Sequence, residues 1–262
     1  MKIKSAGSVM ALAAILTACG GSSHDPAATN GAAASQPATQ YDASTLGAEC
    51  LVLPAAGQKL QFSMYMNDVP ASFYSADFKG VGPMSFEGAD YQGIEIDAVS
   101  GFFYTANDVK QTALFKPEAP MIPLAAISHM DPGTTADDKR YRYTFQDEAT
   151  GKFVTPDVTG LPLNASRTYA VYQERGVGGA PLSAPEKGTD VTVTYLGRED
   201  ITVRGVAYRQ ACKVDVATNG KLRQYRATAW LAPQHGIVKV EARSLNKPVS
   251  GYLETSGLIS AK

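Results

Sequence analysis

The chain has 262 residues, 44% hydrophobic and 19% charged, with a formal net charge of −1, 24 Gly, 15 Pro, 13 Tyr and 3 Cys. That balance excludes a disordered chain, a collagen and a coiled coil. No apolar run reaches about 18 residues, which excludes a polytopic helical membrane protein. The expectation is a β-rich globular domain.

The N-terminus is an address. Lys2 and Lys4 form a short positive region, Val9 to Leu16 is a short apolar run, and small residues follow. This order is that of a secretory signal rather than a spanning helix. Leu16-Thr17-Ala18-Cys19 resembles the lipobox of bacterial lipoproteins, in which the cysteine is lipidated. The resemblance implies a signal peptide over 1–18 and a diacylglycerol and a third acyl chain, such as palmitate, on Cys19. It also implies an outer-membrane address, because Gly20 rather than Asp follows the cysteine. Each buried CH₂ contributes about 0.8 kcal/mol and one chain anchors only marginally, so three chains hold firmly.

Residues 20–47, rich in Gly, Ala, Ser, Thr, Asn, Gln and Pro, offer little to offset the entropy of ordering. They are expected to be a tether of roughly 30 Å root-mean-square span, so that 19–47 is anchor plus tether and 48–262 the folded domain. Loss of Lys2 and Lys4 on processing leaves 22 basic groups against 25 acidic, net −3. Such a charge gives no nucleic-acid footprint. Within the domain, residues 48–197 carry 11 basic and 18 acidic groups, and residues 198–247 carry 10 and 4. Arg204, Arg209, Arg223, Arg226, Lys239 and Arg243 therefore mark a possible basic face for an anionic lipid, a glycan or an acidic partner. The same residues also read as solvated strand faces that neutralise the acidic half. Cys50 and Cys212 remain after Cys19, and two thiols in an exported chain suggest one disulfide.

Along the domain the dominant period is two. Leu60–Tyr65, Tyr141–Phe145, Val191–Tyr195, Ile201–Arg204, Val214–Val216, Tyr225–Trp230 and Ile237–Ala242 alternate apolar with polar residues, as half-buried antiparallel strands do. Turn signals stand at Gly80-Val81-Gly82-Pro83, Asp131-Pro132-Gly133, Asn219-Gly220 and Pro233–Gly236. Thr105–Lys116 reads equally as a short helix capped by Asn107 or as a strand, and Lys116–Pro123 as a loop. The expected fold is all-β and mainly antiparallel, a curved sheet, half-barrel or sandwich with at most one or two short helices.

A spacing echo is present. Phe78-x-Gly80 and Phe86-x-Gly88-x-x-Tyr91 recur 117 residues later as Tyr195-x-Gly197 and Val203-x-Gly205-x-x-Tyr208. It reads either as two β-meander halves, about 48–187 and 188–262, or as generic hairpin grammar. Tyr208–Val214, Trp230-Leu231-Ala232-Pro233 and Gly236-Ile237-Val238-Lys239 resemble the closing strands of uncharacterised periplasmic proteins with LolA-like sheets. That resemblance implies a half-barrel able to cup an apolar ligand or a partner, and it carries over no catalytic residue.

Motifs for hydrolase elbows, phosphate loops, zinc helices and EF-hands are not found. His235 lies in a predicted exposed turn. His129 precedes an acidic loop holding Asp131, Asp137 and Asp138, whose spacing fits a solvated turn better than a cation site. No cofactor and no metal is expected. The expected function is that of a non-catalytic, outer-membrane-anchored lipoprotein whose periplasmic or surface domain binds a lipid, glycan or protein partner. The alternatives are an envelope hydrolase using His129 or His235, and a structural subunit of an envelope assembly.

Overall fold

The protein was analysed as a computed structural model that describes residues 40–66, 69–98, 110–129, 134–220, 224–244 and 250–260. The expected signal, the expected lipobox with Cys19 and the expected tether up to residue 39 lie outside the described residues, as do Asp131 and Arg223. Thirteen strands are described: β1 (Gln58–Met66), β2 (Val69–Phe86), β3 (Ala89–Ala98), β4 (Lys110–Phe115), β5 (Ala125–His129), β6 (Lys139–Asp147), β7 (Phe153–Val154), β8 (Ser166–Val177), β9 (Glu186–Val203), β10 (Val206–Gly220), β11 (Gln224–Ala232), β12 (Gly236–Ser244) and β13 (Ser250–Ser260). One short 3-10 turn covers Ala48–Cys50. The expected all-β, antiparallel architecture is what the structure has.

All strands belong to one sheet in the order β5-β4-β3-β2-β1-β13-β12-β11-β10-β9-β8-β6-β7. β5 also pairs β6 over four positions, from Ala125↔Arg142 to Ser128↔Lys139. The sheet is thus folded back on itself and stitched along this short seam, not closed along its length. Two six-stranded meanders, β1–β6 and β8–β13, follow each other around the circuit.

The alternation read from the sequence sets the faces. Tyr141, Tyr143 and Phe145 point inward and are buried, as are Val191, Val193 and Tyr195. They join Ile94, Ile96, Ala113, Phe115, Val214, Val216, Ala229 and Leu231 in one central core. The opposite face carries two smaller clusters. One unites Phe86 and Tyr91 with Leu114 and Ala125, and the other Val203, Tyr208 and Ala211 with Trp230, Ala232 and Val238. Successive strand residues face opposite sides, so Leu114 and Trp230 lie on the face away from Ala113 and Ala229.

These outer clusters account for the echo. β2 and β9 each have 18 residues and begin 117 residues apart. Each carries a positive-φ glycine where the ladder shifts, Gly197 at 105° in β9 and, two residues past the echo's Gly80, Gly82 at 86° in β2. Each ends in two positive-φ residues, Glu87-Gly88 (50° and 78°) and Arg204-Gly205 (50° and 83°). Two such residues make the tight hairpin turn whose twist matches the strands, and the bulge upstream bends the strand. Both hairpin tips lay an aromatic residue over the outer face. The repeat does not divide at 187/188, since β9 runs through that point; β8 opens the second meander.

Three further expectations are corrected. Gly80-Val81-Gly82-Pro83 is a bulge inside β2, not a turn. Asn219-Gly220 is not the turn of its hairpin, because Asn219 still pairs Gln224 and both residues pair β9. The tether does not extend to Gly47: Leu46 is fully buried in the central core. Its apolar side chain, with Tyr41, is what the compositional reading under-weighted. Lys110–Phe115 takes the strand option, and Lys116–Pro123 is a loop whose Met121 and Ile122 are buried.

Gly80 accepts a hydrogen bond from Gly57 N at 2.9 Å. A Cβ there would stand 2.1 Å from Ala55 O and 2.5 Å from Pro54 O. Replacement of Gly80 by Ala is expected to destabilise the domain by about 1–3 kcal/mol through overpacking against rigid backbone, as measured by urea denaturation; the same change at Gly88 meets no neighbour and costs only the strain of its positive φ.

Candidate functional site

The N-terminal segment 41–51 is a strap across the sheet. Leu46 N donates to Leu161 O at 2.9 Å, Gly160 N to Leu46 O at 2.8 Å and Leu163 N to Ser44 O at 2.8 Å. Asp42 caps this bend by accepting from Ser44 N and Ser44 Oγ, and these bonds hold its carboxyl below the ordinary range. Cys50 is joined to Cys212 of β10, with a Cα–Cα distance of 6.2 Å. Glu49 stands beside the two sulfurs, but the disulfide removes them as metal ligands.

Arg198 holds the strap. Its side chain is 4% exposed and forms an ion pair with Glu49. Its Nε donates to Asp42 O at 2.9 Å and its Nη1 to Gln210 O at 3.1 Å, and Nη1 lies 3.4 Å from Cys50 Sγ. The guanidinium also lies 5.1 Å from the centroid of Tyr41. A planar group with five donors suits several acceptors at once, which lysine cannot match. Sequence reading counted Arg198 among the basic residues without singling it out; its position after the bulge glycine Gly197 was the available signal.

Of the six residues of the expected basic face, Arg226 and Lys239 are ion-paired. Arg226 Nε donates to Asp215 Oδ2 at 2.7 Å, and Thr228 Oγ1 reaches the other oxygen at 3.2 Å. Lys239 pairs Glu241 at 2.7 Å. Arg204 and Arg209 are exposed at the β9–β10 hairpin tip. Arg243 faces Arg226 on β12, and only its backbone is described. The acidic groups that meet Arg226 and Lys239 lie in the same basic stretch of the chain, so these pairs leave its excess of positive charge in place; the Arg198–Glu49 pair reaches across to the acidic stretch.

Trp230, the single tryptophan, sits between two cations, with Lys213 Nζ and Lys239 Nζ each 5.1 Å from its ring. Its Nε1 donates to Glu199, which also pairs Lys213 at 3.1 Å. The Trp230 bond and the neighbouring lysines hold the Glu199 carboxyl below its ordinary value.

His235 is exposed in its turn as expected, with Nδ1 2.9 Å from Pro233 O and its ring edge-on to Tyr208. His129 is different. Its Nδ1 lies 3.0 Å from Asp138 Oδ2 and its Nε2 lies 3.1 Å from Thr112 Oγ1. β4 and β5 align Lys110 with His129 and Thr112 with Ile127, so Thr112 and His129 are diagonal neighbours on one face. Asp138 precedes β6 and is 4% exposed. It is therefore not the solvated turn residue expected of the acidic loop, because β6 and the Gly178 N bond to its carbonyl (2.8 Å) pull it into the fold. A carboxylate can only accept, so Nδ1 carries the proton and Nε2 presents its lone pair to the Thr112 hydroxyl. The Lys110–Glu95 pair (2.9 Å) borders this chain on β3. Beyond it, Arg142 makes a forked pair with Glu174, 2.6 Å at Nη2.

No protein-family model matches the chain, and no curated protein matches it. Among solved structures, a protein of Bacteroides fragilis described as exported, with a YmcC-like fold, aligns with a TM-score of 0.37 at 12% identity over 83% of this chain and 100% of its own. A protein of Parabacteroides distasonis described as a lipoprotein aligns with a TM-score of 0.33 at 11% identity, over 84% of this chain and 100% of its own. Likenesses at these scores carry no argument about what this chain does.

Two outcomes are expected here. Arg198→Ala leaves Glu49 and two carbonyls without their donor, and is expected to destabilise the domain by about 2–4 kcal/mol; Arg198→Lys restores the charge without the fork and should fall between, as read from thermal melts. Glu199, with its folded pKa depressed, contributes stability above its unfolded pKa that is lost as pH falls through the folded value. Trp230 fluorescence is therefore expected to titrate below the ordinary glutamate range, and Glu199→Gln to abolish that transition.

Proposed function

We propose that the chain is a lipid-anchored protein of the bacterial outer membrane whose β domain binds a polar envelope partner, a glycan or a protein. The observation that carries the reading is the buried Cys50–Cys212 disulfide, which belongs to an oxidising compartment and lies on the same segment that leads back to the lipobox at Cys19. The strap brings the linkage between anchor and fold to Tyr41, so the domain hangs on a shorter tether than composition suggests.

The choice of a polar partner rests on the two faces. The interior that a half-barrel would leave for an apolar ligand is occupied by Tyr169, Tyr195, Phe115 and Phe145, all fully buried. The outer face of the second meander presents hydroxyl pairs, Ser166 to Thr194 at 2.7 Å and Thr168 to Thr192 at 2.9 Å, beside Asp215, Arg226 and Thr228. Such a surface offers hydrogen bonds, beside the exposed Leu196. A second reading, an envelope hydrolase, is favoured by one observation, the ordered chain from Asp138 through His129 to Thr112.

Intact-mass spectrometry of protein extracted in mild detergent is expected to show a chain beginning at Cys19 and carrying three acyl groups. Cys19→Ala should lose the acyl mass and leave the membrane fraction. A mature chain that starts elsewhere, or membrane retention of the Cys19→Ala protein, would sink the reading.

A further inference from the structure

We infer that Thr112 is a nucleophile, activated by His129 as general base and by Asp138 as the positioning carboxylate, for hydrolysis of carboxylic esters with short acyl groups. This rests on the hydrolase reading and names its residues. The argument begins with polarity. A base must have its lone pair on the hydroxyl and its proton on the far side, and the far side must be fixed by an acceptor. The chain meets all three conditions: Asp138 Oδ2 to Nδ1 at 3.0 Å, Nε2 to Thr112 Oγ1 at 3.1 Å, and the acceptor-only carboxylate buried at 4% exposure.

Burial adds a second point. A carboxylate withdrawn from water keeps its charge only when it is met by donors. The other oxygen, Asp138 Oδ1, is buried and meets no donor among the described residues. The carboxylate is thus partnered chiefly by His129, and gains most when the ring becomes a cation during proton transfer. Thr112 is itself buried at 4% exposure, and the adjoining imidazole edge, with 31% of its side chain accessible, is the side from which a reactant would approach. Three separate elements, β4, β5 and the approach to β6, supply the groups, and the β5–β6 seam fixes their spacing. Ile127, Leu114 and Ala125 continue the same face as an apolar floor, which favours a short acyl group.

The reaction balances with water as co-reactant. Thr112 Oγ1 bonds to the ester carbonyl carbon while its proton passes to His129 Nε2. The carbon–alkoxide bond breaks and the alcohol leaves with that proton. Water then attacks the acyl-threonine, giving a proton to Nε2; the carboxylic acid leaves as that proton returns to Oγ1.

The test uses the mature, detergent-purified protein with a fluorophosphonate probe and with p-nitrophenyl butyrate. One probe per chain is expected, located at Thr112 by peptide mass spectrometry. Thr112→Ser should keep labelling and turnover, whereas Thr112→Ala and His129→Ala should each lower turnover about 10²- to 10⁴-fold and Thr112→Ala should lose the label. Asp138→Asn should lower turnover while the label still forms slowly at Thr112, since it changes the tautomer and leaves the nucleophile. Thermal melts of all four variants show which are folded. Absence of label and turnover in the unmodified protein overturns both this assignment and the hydrolase reading. Labelling retained in folded Thr112→Ala overturns the assignment alone. Neither result touches the lipid anchor, which is read from the Cys19 mass.

Discussion

The fold depends on how its first ordered segment is held. A sheet folded back on itself still has open ends, and its core must be covered there by something other than strands. The strap over residues 41–51 supplies Leu46, Cys50 and Leu51 to the central core, and the loop before β8 supplies Val158 and Leu161 to it. Besides its backbone hydrogen bonds to residues 160–163, the strap is held by a covalent attachment from Cys50 to β10 and a polar one through the buried Arg198. Each corrects a weakness of the other. The disulfide fixes a distance but no orientation, whereas the guanidinium orients three carbonyl or carboxylate acceptors at once. A buried cation is tolerable only because those acceptors are present.

The two meanders show how a long sheet bends. At Gly82 and Gly197 the ladder shifts by a residue and the backbone enters a region that side chains avoid. Beyond each bend a hairpin tip crosses the outer face and buries an aromatic residue, Tyr91 in one half and Tyr208 in the other. Both faces of β4 are buried as a result. On the same face of β4 and β5, Thr112 is buried while an edge of His129 stays open. The outer face of the second meander, by contrast, keeps its hydroxyls and ion pairs toward solvent. One architecture thus produces a sheltered polar chain in the first half and an open polar surface in the second.

Charge along the chain and charge in space are different quantities. The excess of arginine and lysine after residue 198 suggested a face, but antiparallel pairing sets Asp215 against Arg226 and Glu199 against Lys213. Cross-strand neighbours and not sequence neighbours decide the local field. Arg204 and Arg209 are exposed, and Arg226 keeps half of its side chain exposed beside Asp215.

The strand content and the alternation of Tyr141–Phe145 and Val191–Tyr195 were legible in the sequence, because side-chain direction in a strand follows position alone. The disulfide was legible too, since setting Cys19 aside as an expected anchor leaves Cys50 and Cys212 one pairing, and the Gly88 and Gly205 spacing pointed to two similar hairpins. The boundary of the tether was not, because composition averages over a window and Leu46 is one residue that finds a pocket. Nor was the bulge at Gly80–Pro83, whose glycines and proline are the same residues a turn would use. The sequence by itself determined an antiparallel β domain and the pairing of Cys50 with Cys212. Tertiary structure alone decided that Arg198 clasps the strap and that Asp138, His129 and Thr112 stand in line. Those groups lie on different strands, and only the register of hydrogen-bonded backbones, which no local pattern encodes, brings their side chains within bonding distance.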